Sequence, residues 1–414
     1  MHSLRTLDAD RVSVADMKRA ASPWRYGGLI ALCLLVAAFN LRPALTSLAT
    51  ILAEIRQGLE ISSFWTGILT TTPVLCFGLF GPLAPLLSAR LGLERATFLL
   101  FVLLAASLGL RIFPSHAALM ASTLAAGAAI GMAGVLLPVV IRRDFSHRLG
   151  LMTGLYTMVL SVGGASAAGL TPVLEHATGA WTSALAAWSL PALVAAGLWA
   201  GLSLTGTSAA RTARMPPFSV LFRDRVAWSV TAFMGLQAAL AFIVLGWLPT
   251  LLRDRGLTVV DAGFVTSVSI IAQTATALLV PSLATKRLPP RLLILLVMLA
   301  TVVGFLGLLY APLDTRLLWG LILGLGQGGV FGLALLFISL RSASPEAAAM
   351  LSGMSQSIGY LGASLGPLAV SLLRDTYRGP TGPALLFTVV LLLSTWFGLQ
   401  AAKPGHVLAH LDMP

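Results

Sequence analysis

Apolar runs of about 20 residues, enough to cross a bilayer as α-helices, recur twelve times along the chain. They lie at roughly 27–53, 65–87, 96–112, 117–140, 151–174, 181–204, 228–252, 263–284, 292–310, 317–339, 349–373 and 383–402. Short segments rich in Arg, Pro and Gly separate them. The pattern predicts an all-α membrane protein of twelve transmembrane helices. The longest interior polar segment, TSAARTARMPPFSVLFRDRVA at 207–227, is basic and contains proline, and it divides the chain in the middle. The expected organisation is an amino-terminal tail (1–26), a six-helix bundle (27–204), a central loop (205–227), a second six-helix bundle (228–402) and a carboxy-terminal tail (403–414).

Polar residues are distributed unevenly among these spans, and lipid-facing helices have no reason to carry them. Spans three, six, nine and twelve are almost wholly apolar, which predicts an outer scaffold. Polar positions at depth fall in span one (Asn40, Arg42, Thr46), span five (Tyr156, Thr157, Ser161), seven (Gln237), eight (Gln273), ten (Gln327) and eleven (Gln356, Tyr360). These helices are expected to surround a central polar path.

Arg42 carries the strongest signal. It stands in AFNLRPALTS (38–47), beside Asn40, the chain's only asparagine. At about 1.5 Å per residue it lies roughly 22 Å into the first span, where a charge costs about 2.5 to 3.5 kcal/mol even on the lenient insertion scale. Pro43 lacks an amide hydrogen and bends the helix at this point. Two readings stand: a structural arginine satisfied by helix carbonyls, or an anion site, since no Asp, Glu, Lys or His lies deep within any span. Its planar fork of donors suits an anionic or strongly dipolar solute. Helical spacing places Arg42 above Thr46 and nearly opposite Asn40, so one of Asn40 and Arg42 faces the path while the other ties span one to a neighbour, unless the kink turns both inward. The membrane glutamines divide evenly between interhelical hydrogen bonds and solute contacts. Gln237 and Gln327 rank first, because spans seven and ten correspond to spans one and four. Tyr156 is a candidate for stacking on solute, whereas Tyr360 and Trp247 read as packing.

Composition and charge fit this picture. The 414 residues are 57% hydrophobic and 10% charged with a net charge of +12, and the mean hydropathy is +0.90. Such positive charge suggests nucleic acid in a soluble protein, but here its placement decides the matter. Arg5, Arg11, Lys18, Arg19 and Arg25 in the tail and Arg211, Arg214, Arg223 and Arg225 in the central loop lie on one side. The positive-inside rule therefore predicts both termini in the cytoplasm. Arg42 is counted as the only Lys or Arg within the membrane, with Arg111 in an outer segment. Cys33 and Cys76, both in apolar runs, exclude a disulfide framework or cysteine metal site. A membrane enzyme would need a catalytic cluster near one interface, and none is found. A channel would predict pore rings from several identical subunits rather than two divergent halves.

The halves look related. Arg142 precedes Gly154 as Arg341 precedes Gly353, and GGASAAGLTP (163–172) is followed in the second half by YLGASLGP (360–367). Weak internal similarity of this kind marks parallel repeats in secondary transporters. Gly127 with Gly131, Gly324 with Gly328 and Gly362 with Gly366 have the small-xxx-small spacing of packed membrane helices. GLGQGG (324–329) matches a dinucleotide fingerprint and GASLG (362–366) a nucleophile elbow, but neither follows a strand, and both are rejected.

NLRPALTS in span one, LLPVVIRRDFSHRLGLMTGLYT (136–157), FMGLQAALAFIVLGWLPTLLRDRG (233–256) and LSGMSQSIGYLGASLGP (351–367) resemble the major facilitator superfamily, and within it the bacterial cyanate and 2-nitroimidazole transporters. The resemblance implies two pseudosymmetric bundles alternating access to a central site, with Asn40, Arg42, Tyr156, Gln237 and Gln356 on the path. The superfamily's charged loop after span two reads GPLAPLLSARLGLER here, with Ala89 where an acid is expected.

The expected function is secondary transport of a small polar or anionic solute, such as a cyanate-like anion, small carboxylate or nitroimidazole-like compound, across the bacterial inner membrane. The alternative is a drug or metabolite efflux pump of the same superfamily. No cofactor, metal or nucleic acid is expected. The expected partners are the small-molecule substrate and the lipid bilayer, with protons as the candidate coupling ion, for a chain working as a monomer.

Overall fold

The computed structural model describes residues 23–205, 218–377 and 379–407. The amino-terminal tail, most of the central loop and the end of the carboxy-terminal tail lie outside the described residues. Among those described there is no strand, and eleven stretches are helical, long and apolar enough to cross a membrane. Span one is built from α1 (Pro23–Phe39), α2 (Pro43–Thr50) and α3 (Leu52–Leu59), and span two from α4 (Ser63–Phe80) and α5 (Ala84–Leu91). Spans three to five are α6 (Leu93–Gly109), α7 (His116–Asp144) and α8 (Leu149–Thr178), and span six is α9 (Trp181–Ala186) with α10 (Ser189–Thr205). Spans seven to ten are α11 (Arg225–Asp254), α12 (Val259–Lys286), α13 (Pro290–Tyr310) and α14 (Arg316–Leu340). The expected eleventh span, 349–373, is two helices, α15 (Pro345–Ala363) and α16 (Leu365–Thr376), and α17 (Thr381–Ala401) ends the set. Its serines, glycines and glutamine keep that eleventh region from qualifying by apolar length, although it packs among the others.

Starts of helices follow local chemistry. Asp224 accepts from the amides of Val226 and Ala227 at the start of α11, and Thr258 and Ser344 cap α12 and α15 in the same way. Both rejected motifs lie in helical packing: 324–329 is inside α14, and 362–366 spans the junction of α15 and α16.

The two faces of the helix array are set by chain direction. On the linker face span one begins and spans six and seven are joined; the opposite, distal face holds the turns after spans one, three, five, seven, nine and eleven. Spans three and six pack on each other, as do nine and twelve, each pair chiefly within its own half. Trp199 of span six donates to the Cys33 carbonyl at 3.2 Å, and Trp188 to the Thr171 hydroxyl at 2.9 Å, fastening this scaffold to spans one and five.

Packing relations repeat between the halves. Gly127 and Gly131 of span four lie against Pro73, Cys76 and Phe77 of span two, and Gly324 and Gly328 of span ten lie against Ser269 and Gln273 of span eight. A methyl on Gly328 would stand 2.0 Å from the Gln273 carbonyl, so only glycine permits that approach. Of the third pair, Gly366 meets Ile243 while Gly362 faces open space. Span five packs on span one through Gly163, and span eleven on span seven through Gly359 against Gly235.

One hydrophobic core lies wholly within residues 30–202. A second is drawn mainly from residues 221–407 but also takes in Leu48, Ile51, Leu52, Ile55 and Leu69. The halves are thus continuous in apolar packing at the distal end.

Candidate functional site

Span one is not a kinked helix but a broken one. It stops at Phe39, turns through Asn40, Leu41 and Arg42, and restarts at Pro43. Pro43 has no N–H for the Phe39 carbonyl, and Gly163 of span five lies against that oxygen so closely that a methyl there would be 2.0 Å from it. The next glycine, Gly164, supports the arginine: a methyl on it would stand 3.1 Å from Arg42 Cδ and 3.2 Å from Cβ. Tandem glycines on span five therefore form the floor on which the break and the Arg42 stem rest.

Asn40 is turned toward span six. Its amide nitrogen donates to the carbonyls of Val36 at 2.8 Å and Pro191 at 3.1 Å, fastening the break to span six. Both donors are consumed, so Asn40 braces the helix break against span six. The Thr46 hydroxyl donates to the Arg42 carbonyl at 3.2 Å and is buried, which stabilises the restart of the helix.

Arg42 itself has no such partner. Its Nη1 is fully enclosed and makes no hydrogen bond, and no ion pair to the side chain exists among the described residues. The structural role expected as an alternative for Arg42 is instead filled by Arg111. That residue, expected in an outer segment, is 1% exposed and donates from Nη1 to the Ala44 carbonyl at 3.0 Å and from Nε to the Ser122 hydroxyl at 3.3 Å. Arg42 is therefore not the only buried arginine, but it is the one left unsatisfied. An unpaired buried charge is disfavoured by several kcal/mol, which an anion would offset.

Tyr156 of span five and Tyr360 of span eleven lie within electrostatic reach of Arg42 and of each other. Tyr360 also joins an aromatic group: its ring is 6.3 Å from Phe77 of span two and 6.1 Å from Phe242 of span seven, which are themselves 6.0 Å apart. Both halves thus contribute to one polar and aromatic centre. Phe77 and Phe242 were not legible as members of this group, because single aromatics in apolar runs look like packing, and Tyr360, named among the polar positions at depth, reads as packing too. On the distal side of Phe242 runs an apolar crevice lined by Ala44, Leu48, Leu69, Thr70, Val74 and Leu245.

The glutamines separate. Gln327 donates to the Leu240 carbonyl at 3.2 Å and accepts from Gln273 at 3.2 Å, a buried brace across spans seven, eight and ten that leaves it engaged away from Arg42. Gln237 is buried and its amide touches only the Met234 sulfur at 3.4 Å. Gln356 is half-buried and donates to the Ser352 hydroxyl at 2.8 Å. Trp247 is fully buried and donates to the Pro367 carbonyl at 3.0 Å, a packing role. At the linker face, where Ala89 replaces the expected acid, Glu94 pairs with Arg143 at 2.6 Å, and Asp144 pairs with the same arginine at 2.8 Å. Arg341, at the linker end of span ten, donates to the Ala401 carbonyl at 2.7 Å, and burial holds its proton affinity below the usual arginine range.

The family model for the Major Facilitator Superfamily matches residues 28–367, which covers both halves and the centre just described. The chain belongs to the Major Facilitator Superfamily. It is 34% identical to the 2-nitroimidazole transporter of Escherichia coli (strain K12) over 377 residues, 90% of this chain and 95% of that protein. It is 31% identical to the cyanate transport protein CynX of the same organism over 345 residues, 83% of this chain and 89% of that one. In fold it matches a crystal structure of a D-xylose-proton symporter with a TM-score of 0.74 at 12% identity, over 94% of this chain and 100% of that chain. This superfamily member is accordingly a transporter with an all-α membrane fold, and its multi-pass character follows from the same matches.

Proposed function

We propose that this transporter moves a small anionic or strongly dipolar solute through a site centred on Arg42, by alternating access between its two six-helix bundles (27–204 and 228–402). The carrying observation is the unpaired guanidinium Nη1, held on the tandem glycines of span five between residues of both halves. Bidentate donation to a carboxylate, cyanate or nitro group would satisfy it. Tyr156, Gln237 and Gln356 are assigned to the path, and Asn40, Thr46 and Gln327 to the frame that holds it. The relatives that move 2-nitroimidazole and cyanate support a small planar or linear substrate with concentrated negative charge.

The linker face, with its arginines, faces the cytoplasm of a bacterial cell whose inner membrane holds the protein as a monomer. Carboxylates among the described residues sit at helix ends, so proton coupling is assigned to the substrate's own conjugate acid rather than to a relay of acidic side chains. The halves need only two arrangements that expose one site to opposite sides.

The test is uptake into proteoliposomes of cyanate, small carboxylates and 2-nitroimidazole, with and without a pH gradient. Saturable flux is expected for at least one of them. Arg42→Ala should abolish it, and Arg42→Lys should weaken affinity about tenfold or more, because a point charge lacks the planar fork. Undiminished affinity in both variants would overturn the assignment.

A further inference from the structure

We propose that the Arg42 centre is specific for a planar aromatic monoanion of the benzoate type, with its carboxylate on the guanidinium and its ring against Phe77, Phe242 and Tyr360. This rests on the anion reading above and adds the shape of the substrate. Four different spans each send one aromatic side chain to this centre: Phe77 from span two, Tyr156 from five, Phe242 from seven and Tyr360 from eleven. Phe77 meets Phe242 and Tyr360 at 54° and 66°, and Phe242 meets Tyr360 at 81°, so the rings meet tilted or edge to face, each contact using one ring's face at most. Ring faces remain for a guest, and offset or edge-to-face contacts are the favoured geometry for an aromatic ring entering such a group.

Burial agrees. Phe77, Phe242 and Tyr360 lie in the middle of their spans and Tyr156 in the first third of span five, yet each is only half-buried, whereas Met234, Leu240 and Ile243 in span seven are 2% exposed or less. Arg42 is likewise half-buried, with its Nη1 enclosed, and the Tyr156 and Tyr360 hydroxyls make no hydrogen bond among the described residues. A linear three-atom anion could satisfy Arg42 but would leave the ring faces and both hydroxyls without contact. A flat ring carrying a carboxylate at one end and a polar substituent at the other uses all of them.

The experiment is equilibrium binding of tritiated benzoate to the purified full-length transporter, with competition by unlabelled benzoate, cyclohexanecarboxylate, cyanate and benzamide. Cyclohexanecarboxylate matches the charge and approximate size but has no flat π face; benzamide has the ring without the charge. Benzoate should compete at least tenfold better than each of the other three. Tyr360→Phe should keep the preference over cyclohexanecarboxylate, and Phe242→Leu and Tyr360→Leu should erase it, with correct folding shown by unchanged thermal stability. Arg42→Gln should abolish binding of every anion. Equal competition by benzoate and cyclohexanecarboxylate, with dependence on Arg42 intact, would overturn ring recognition and leave the anion site standing. Loss of dependence on Arg42, or equal competition by benzamide, would overturn both.

Discussion

Two adjacent glycines on span five decide what Arg42 can do, and they differ in consequence. A side chain at Gly163 meets the Phe39 carbonyl at 2.0 Å, a backbone atom that moves only if span one moves. Gly163→Ala should therefore lower stability by about 1 to 3 kcal/mol or more through overpacking, seen as a fall in unfolding temperature in detergent. At Gly164 the first contact is the flexible Arg42 stem at 3.1 Å. Gly164→Ala should leave the unfolding temperature nearly unchanged while weakening substrate affinity, since the guanidinium is pushed from its seat. Equal effects of the two on stability would contradict this division. The same contrast separates the two buried arginines: Arg111 is spent on the Ala44 carbonyl and Ser122, whereas Arg42 keeps its donors.

Among the elements, the second half is tied by a polar chain in which Gln273 donates to Gln327 and Gln327 to the Leu240 carbonyl. Interhelical bonds in membranes contribute about 0.6 to 2 kcal/mol each. Gln327→Ala breaks two and leaves their partners buried, so the unfolding temperature should fall while KM for the transported solute stays the same. Gln237→Ala gives up only a contact to a thioether at 3.4 Å. It should unfold at the wild-type temperature and be impaired in transport. A changed KM in the Gln327 variant would return that residue to the path.

For the whole molecule, the polar bonds joining the halves among the described residues lie at mid-depth or at the distal end. Glu54 pairs with Arg253 at 2.8 Å, Ser267 donates to the Ala165 carbonyl at 2.7 Å, and Ser371 donates to the Ser63 carbonyl. With the shared apolar core at that end, this is an arrangement closed on the distal side. The Glu54–Arg253 pair remains 19% and 25% exposed, so its share of the closure is up to about 1 kcal/mol, a fivefold shift in population. With Cys33 and Cys76 replaced by serine, Thr70→Cys in the distal crevice should react with an impermeant thiol reagent up to about fivefold faster once Glu54→Gln is added. The exchange Glu54→Arg with Arg253→Glu should restore the slow rate. A rate unmoved by Glu54→Gln would assign closure to the apolar packing alone.

The sequence by itself determined the spans, the all-α membrane class, the outer position of spans three, six, nine and twelve, and the depth of Arg42 in span one. These follow from length, hydropathy and the cost of polarity in a bilayer, which act residue by residue along the chain. Which of Asn40 and Arg42 turns inward depended on a carbonyl of span six, Pro191, far away in sequence. Arg111 read as a loop residue because its partners, Ala44 and Ser122, belong to other spans. Gln237 and Gln327 look alike in an apolar run and part only when Gln273 and Leu240 are brought beside one of them. Phe77, Phe242 and Tyr360 become one group only when spans two, seven and eleven meet. Tertiary structure decided these points because hydrogen bonds and ring contacts are short-ranged and pairwise: a side chain's role is set by its neighbours, and the neighbours here come from other helices.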